Sequence, residues 1–292
     1  QFAETFLRQS VRFCIDSENV LREKQRAPSA VRDVVPRLLE KFGLLDGPNG
    51  TRPGEDSWLD ELARTIYEAS PADAAGAAAE ALSAGYSPEA VGEAISLAAN
   101  LLLLHDPGRK PEWASAEKPA GCVHGDSVGV HASDAANAWR AIARVSNPRN
   151  RAASLVVAAY HTAGQSARPS RDPFPHAVRI GEATATDPDV LLKATRSAIQ
   201  AGDQSLACAL VQRYGEQSHS ARPLQDLLLQ YAVSEDGALH AEKYYCTAIE
   251  EFATMRPAFR WRQLVALARV TASEFGHPAP GYETACQLLG VS

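Results

Sequence analysis

Two histidines stand seven residues apart in the segment GCVHGDSVGVHASDAANAW, at His124 and His131. If residues 124–138 form a helix, this spacing is almost two full turns, so both imidazoles would project from one helix face. Asp134 follows three residues after His131 and would lie on the same face. Because neutral imidazole binds Fe, Zn, Cu and Ni at physiological pH, this spacing indicates a metal site.

Further histidines lie in or at the ends of helix-like segments, where they could complete such a site. His105 follows the apolar run LLLL, His161 ends SLVVAAYH, and His240 lies in GALHAEKYYCTAIEEF. Metal sites of helical proteins are assembled from side chains on facing helices. The set expected to converge around one ion is His124, His131, His161 and His240, with His105 as a fifth candidate.

Each of these histidines also has a structural interpretation. A histidine at the C-terminus of a helix, such as His105 or His161, can act as a cap because the helix dipole favours a cation there. His219 and His277 lie in polar, turn-rich segments and are expected at the surface.

Aromatic residues near the histidines could form the wall of a substrate pocket. Tyr160 precedes His161, Tyr244 lies in the segment of His240, and Trp139 lies in the segment that follows His131. The alternative role for each is core packing, which large aromatic side chains commonly serve.

The segment RPAFRWRQLVALAR, at 256–269, carries arginines that could bind a carboxylate or phosphate, or pair with acidic residues of neighbouring helices.

The composition excludes several classes of protein. A net charge of −6 argues against a nucleic-acid partner, because such proteins carry a basic face. The five cysteines form no CxxC pair, which argues against a disulfide framework or a sulfur-ligated zinc site and favours the cytoplasm. The longest apolar stretch, at 94–104, is about half of a bilayer span, so no membrane partner is expected.

Nearly every patterned segment has the hydrophobic period of a helix, and no run has the alternation of a strand. The pattern predicts an all-α fold, either a multi-helix bundle or an irregular α-α array, with no significant β-sheet. Residues 1–292 are expected to form a single helical domain, with an N-terminal helical layer at 1–45 and a glycine- and proline-rich linker at 46–56. Helices are expected at 3–22, 27–43, 57–69, 71–84, 87–104, 127–145, 151–163, 175–184, 188–201, 203–217, 222–232, 236–253, 258–275 and 280–289.

Three short segments resemble the questin oxidase-like family: VHGDSVGVH (123–131), the Ala-Gly helix pair at 80–94, and LHAEK (239–243). That family includes non-haem iron oxygenases that act on anthraquinone-type aromatic rings, with iron held by several histidines and a carboxylated lysine. The resemblance implies iron held by His124, His131 and His240, with Lys243 as the carboxylated lysine.

The chain lacks GxSxG, P-loop and HExxH motifs, which leaves the histidines as the strongest chemical signal. We therefore expect a histidine-ligated oxygenase or oxidoreductase that acts on a small organic, aromatic-type substrate. The expected cofactor is Fe, with Zn or another transition metal as alternatives. Two other functions stay open: a non-catalytic helical scaffold that binds a partner protein or a second copy, and a metal-free enzyme with one histidine as general base.

Overall fold

A computed structural model describes residues 2–116, 118–123, 127–165, 172–236 and 240–291. Within these ranges the chain forms fourteen α-helices and one short 3₁₀ helix. The described residues contain no β-strand, only two isolated bridges, Arg52 with Tyr86 and Glu235 with Pro278. The all-α class predicted from the hydrophobic period is confirmed.

Every helix predicted from the sequence is present, with bounds that differ by a few residues. The 3₁₀ helix, Pro111–Trp113, lies between α5 and α6. The α-helices are α1 (Phe2–Glu23), α2 (Val31–Lys41), α3 (Asp56–Glu68), α4 (Pro71–Ser83), α5 (Pro88–Leu104), α6 (Val128–Val145), α7 (Pro148–Gly164), α8 (Ala177–Glu182), α9 (Pro188–Gln200), α10 (Gln204–Glu216), α11 (Ala221–Ser234), α12 (His240–Thr254), α13 (Trp261–Glu274) and α14 (Tyr282–Leu289).

Local chemistry fixes where many of these helices begin. A proline occupies the first turn of α4, α5, α7 and α9, where its missing N–H costs no helix bond. Polar side chains that accept a hydrogen bond from a backbone N–H of the first turn precede six helices. These N-cap residues are Ser70, Ser87, Ser127, Asn147, Asp187 and Asp203.

The first hydrophobic cluster surrounds α5. Fifteen of the seventeen residues of this helix are buried, which explains why its sequence is apolar on all sides. Helices α2, α3, α4, α6 and α7 contribute most of the other buried residues, with Val35 and Leu39 of α2 among them, and Met255 and Phe259 complete the cluster. Residues 31–41 therefore pack with the first cluster, whereas the side chains of α1 whose burial the structure describes are almost all exposed. No described helix has both the length and the hydrophobicity needed to cross a membrane.

The second hydrophobic cluster is built by α9, α10, α11, α12 and α13. Tyr214 and Tyr244 are its largest buried aromatic residues. Leu103 and Leu104, at the end of α5, belong to this second cluster, while Leu102 belongs to the first. The C-terminal end of α5 is therefore the place where the two clusters meet.

The guanidinium of Arg269 lies fully buried at this meeting point. It donates to the carbonyl oxygens of Leu103 and Asp106 and, through Nε, to Gln204 Oε1 at 3.2 Å. Carbonyls at the end of a helix lack the usual partner one turn further along, and the arginine adds its donors to those of the capping backbone N–H groups. Its guanidinium also stacks on the ring of Phe174 at 3.8 Å. Burial lowers the pKa of Arg269 to about 10, which leaves it charged at neutral pH.

The connection between α5 and α6 is anchored near both of its ends. The carboxylate of Asp106 accepts the backbone N–H of Gly108 at 2.8 Å and the hydroxyl of Ser127 at 3.1 Å. Further along, the N–H of Val123 donates to Ser273 Oγ at 2.8 Å. Because Ser127 is also the N-cap of α6, these bonds help to set where α6 begins.

Replacing the buried arginine with an apolar side chain tests its role at the end of α5. Arg269→Met removes the buried charged donor that the carbonyls of Leu103 and Asp106 share, so the free energy of unfolding should fall by about 3 kcal/mol or more. Urea denaturation measures this change. The exposed Arg222→Met is the control and should have a much smaller effect; equal losses in the two variants would contradict the assigned role.

Candidate functional site

Two of the predicted histidines contact each other where α6 packs against α12, and a third, His161 on α7, lies near the first of them. The ring of His131 on α6 lies 4.9 Å from the ring of His240 on α12, with an edge-to-face angle of 78°. His161 on α7 is near enough to His131 for the charge of His131 to affect its pKa. The fold thus gathers imidazoles that are far apart in the sequence.

Polar contacts between α6 and α12 hold His131 opposite His240. One carboxylate oxygen of Asp134 accepts from the hydroxyl of Thr247 at 2.7 Å, and the other lies 2.9 Å from Lys243 Nζ. One turn further along, Asn137 donates to Glu250 Oε2 at 2.7 Å. Contacts that lie further along α6 also lie further along α12, so the two helices run parallel to each other.

A buried ion pair completes this row of contacts. The guanidinium of Arg140 donates to the carboxylate of Glu251, and both side chains are at least 95% buried. Arg140 also donates to Ser96 Oγ on α5 at 3.1 Å. Burial raises the pKa of Glu251, and the charge of Arg140 opposes that shift. Gly92 allows the close approach, because a Cβ there would lie 3.0 Å from Arg140 Cγ.

Burial keeps two of the clustered imidazoles in the neutral form that binds metals. The pKa of His161 is lowered first by burial and then by the charge of His131. The pKa of His131 is lowered by burial, by His240 and by Lys243, while Asp134 opposes the shift. Both rings therefore have a nitrogen lone pair at neutral pH.

The hydrogen bonding of His161 leaves one ring nitrogen without a partner. Its Nε2 lies 3.2 Å from the amide nitrogen of Gln165, one turn further along α7. Its Nδ1 is buried and has no hydrogen-bond partner in the described part of the chain. A buried polar atom of this kind calls for an explanation, and a bound ion is one of those available.

The separation of the His131 and His240 rings agrees with two imidazoles that share one ion. With a metal–nitrogen distance of about 2.0–2.1 Å, ligand angles between 90° and tetrahedral put the ring centres roughly 4.6–5.3 Å apart. However, no group of three or more His, Cys, Asp and Glu side chains within the described residues could hold a metal ion. Binding would therefore need a side chain to rotate or a further donor to join.

A single helix through both His124 and His131 is excluded at Ser127, whose backbone is extended. Helix α6 begins at Val128, because the backbone of its N-cap, Ser127, is extended. His124 itself lies outside the described residues, so its role as a ligand stays a prediction.

Lys243 forms an ion pair with Asp134, although its own side chain is half exposed. Carboxylation would replace the ammonium with a negatively charged carbamate beside the carboxylate of Asp134. The proposed carboxylation of Lys243 stays a prediction that must overcome this ion pair.

His105 is the C-cap residue of α5, as its structural interpretation predicted. Its ring lies 5.3 Å from that of Tyr67. It borders a groove whose described lining includes none of His131, His161 and His240. Its role as a fifth ligand stays a prediction.

The three aromatic residues predicted to wall a pocket lie in or against the hydrophobic clusters. Trp139 and Tyr160 are partly buried and pack against the first cluster. Tyr244 is fully buried in the second, and burial raises the pKa of its hydroxyl. These positions agree with core packing, and a role in a substrate pocket stays a prediction.

Two residues that contact the site, Gln165 and Thr247, were not predicted from the sequence. Gln165 follows His161 by four residues, a spacing that could have indicated the contact, whereas Thr247 carries no such signal.

Comparison with protein-family models, with curated proteins and with solved structures finds no match for this chain. The resemblance to questin oxidase-like proteins therefore stays an expectation based on three short segments. The chemistry of the site rests on the contacts described above.

The Arg140–Glu251 pair provides a test of the register between α6 and α12. Glu251→Gln leaves a buried guanidinium without its counter-charge, so the free energy of unfolding should fall by about 3–5 kcal/mol. The double variant Arg140→Met/Glu251→Leu removes both charges and should recover most of that loss. Urea denaturation of the two variants measures the difference; a double variant less stable than Glu251→Gln would contradict the assignment.

Proposed function

We propose that the protein is a metal-dependent oxidoreductase in which His131, His161 and His240 bind one transition-metal ion. Iron is the proposed metal, with zinc or another transition metal as alternatives. The observation that carries the proposal is the contact between the His131 and His240 rings, 4.9 Å apart on two parallel helices. Facing helices are the usual frame for such sites in helical proteins.

The protonation of the cluster supports the proposal. A metal ligand must offer a lone pair, and burial lowers the pKa of both His131 and His161. The unpartnered Nδ1 of His161 is a donor atom that nothing else in the described residues uses. Gln165 contacts the opposite ring nitrogen and orients the imidazole, as second-shell groups do around metals.

The surrounding side chains have positioning roles. Asp134 bonds to Thr247 and Lys243 and so fixes the distance between α6 and α12 beside the histidines. Tyr244, which follows Lys243 on α12, is fully buried in the second hydrophobic cluster. Iron bound here would supply the redox chemistry for oxidising a small organic substrate with dioxygen.

The resemblance to questin oxidase-like proteins extends the proposal. It adds an aromatic substrate, His124 as a further ligand and a carboxylated Lys243. Tyr160 precedes His161 on α7 and is partly buried against the first cluster, and we propose it as part of an aromatic wall. These details depend on the metal site and fall with it.

Metal content is the direct test. Protein produced with added iron should contain about one equivalent of metal per chain by elemental analysis, and His131→Ala or His240→Ala should retain less than about a tenth. His219→Ala is the matched control, since that ring contacts Thr186 rather than the cluster. It should retain the metal content of the wild type.

Two results would contradict the metal proposal. One is wild-type protein with less than about a tenth of an equivalent of any transition metal after both aerobic and anaerobic preparation. The other is full metal content in His131→Ala and His240→Ala, with helical content unchanged by circular dichroism.

A helical scaffold that binds another protein is the second candidate function. The observation that favours it is α1, where Leu7, Val11, Phe13 and Ile15 are all at least half exposed. Exposed apolar residues along one helix are typical of a surface that packs against a partner. A well-folded protein without bound metal would favour this function over the first.

A further inference from the structure

A groove of about 470 Å³ lies where α5, α10 and α13 approach each other. This volume falls within the range of about 300–1,000 Å³ that is typical of small-molecule sites. Its apolar surface comes from Leu104, Pro173, Phe174, Trp261 and Val265, among others. Such a combination of size and apolar lining suits an organic ligand.

The aromatic walls of this groove are held in place before any ligand arrives. Trp261 packs directly on Gly215, where a Cβ would lie 2.5 Å from the indole Cδ2. The rings of Tyr214 and Phe252 support the indole at 6.0 and 5.3 Å. A preformed wall lowers the entropic cost of binding.

Phe174, which lines the same groove, is also held in place by its neighbours. Its backbone N–H donates to the carbonyl of Leu104 at 2.9 Å, and the buried guanidinium of Arg269 covers its ring at 3.8 Å. Through Phe174, one wall of the groove is therefore held by residues that lie where the two hydrophobic clusters meet.

One part of the polar border of the groove carries a net positive charge. Asp60 accepts from Arg64 Nε at 2.9 Å and from Arg262 Nη1 at 2.8 Å, so one carboxylate lies between two guanidinium groups. Burial alone would raise the pKa of Asp60, but the hydrogen bonds from both arginines outweigh it and lower the pKa. Asp60 is therefore ionised, and the three side chains together carry one excess positive charge.

The arginines have donors left for a ligand. A guanidinium has five N–H groups, and the bonds to Asp60 use one on each arginine. The acidic residue on the other side of the groove, Glu216, is already contacted by Gln212 at 2.9 Å and by Arg213 at 3.7 Å. The border thus favours an anion over a cation.

We propose that this groove binds a small apolar carboxylate, with its hydrocarbon body between Phe174 and Trp261 and its carboxylate at Arg64 and Arg262. Guanidinium groups and carboxylates form charge-assisted hydrogen bonds that fix orientation as well as affinity. The inference goes beyond the metal proposal and does not depend on it. Of the described residues that border the groove, none is His131, His161 or His240.

Isothermal titration of the full chain with octanoate and with octan-1-ol tests the proposal, because the two probes share a chain and differ in charge. Octanoate should bind at one saturable site, about tenfold or more tightly than octan-1-ol. Arg64→Gln should weaken octanoate binding about three- to tenfold and leave octan-1-ol unchanged. The matched control is Arg222→Gln, since Arg222 also pairs with an aspartate four residues away, outside the groove.

A second variant tests the location. Ala258 is exposed at the border of the groove, so Ala258→Trp should fill the space without disturbing the core and should abolish binding of both probes. Equal affinity for the two probes, equal losses in Arg64→Gln and Arg222→Gln, or unchanged binding in Ala258→Trp would each overturn the proposal. Metal content should be the same in all these variants, which separates failure here from failure of the metal site.

Discussion

The parallel packing of α6 against α12 is the constraint on which the candidate site depends. At its centre is the buried ion pair between Arg140 and Glu251, which tolerates only one register. A shift by one helical turn would leave both charges buried and unpaired, at a cost of several kcal/mol. In the register that satisfies this pair, Asp134 meets Lys243, and His131 lies against the ring of His240. The geometry of the histidines is thus set by residues two to three turns away from them.

Arg269 has a corresponding role at the end of α5. That helix is buried among two clusters, and a charged side chain from α13 donates to the carbonyl of Leu103, in its last turn, and to that of Asp106, just beyond its end. The same guanidinium covers Phe174 and so fixes one wall of the groove. One buried cation therefore connects the termination of the central helix with the shape of a candidate ligand site.

The sequence predicts the helices well because their signals are local. Hydrophobic period marks each segment, and pairs such as Ser87-Pro88 mark its beginning. The contacts that build the candidate site are not local, because Asp134 and Lys243 meet only after α6 and α12 have packed. The same is true of Leu103 and Arg269 at the end of α5. A single helix through both His124 and His131 is excluded for a local reason, since the side chain of Ser127 caps α6 at Val128, and His124 as a ligand stays a prediction. The groove could not be predicted, since its lining comes from several separate segments.

The convergence of imidazoles on one metal ion is tested most directly by X-ray absorption at the iron edge of the iron-loaded protein. The expected spectrum shows nitrogen ligands at about 2.0–2.2 Å together with the outer-shell scattering of at least two imidazole rings, which is lost in His131→Ala. A spectrum with oxygen ligands alone, identical in the wild type and in His131→Ala, would contradict a histidine-bound metal between α6 and α12.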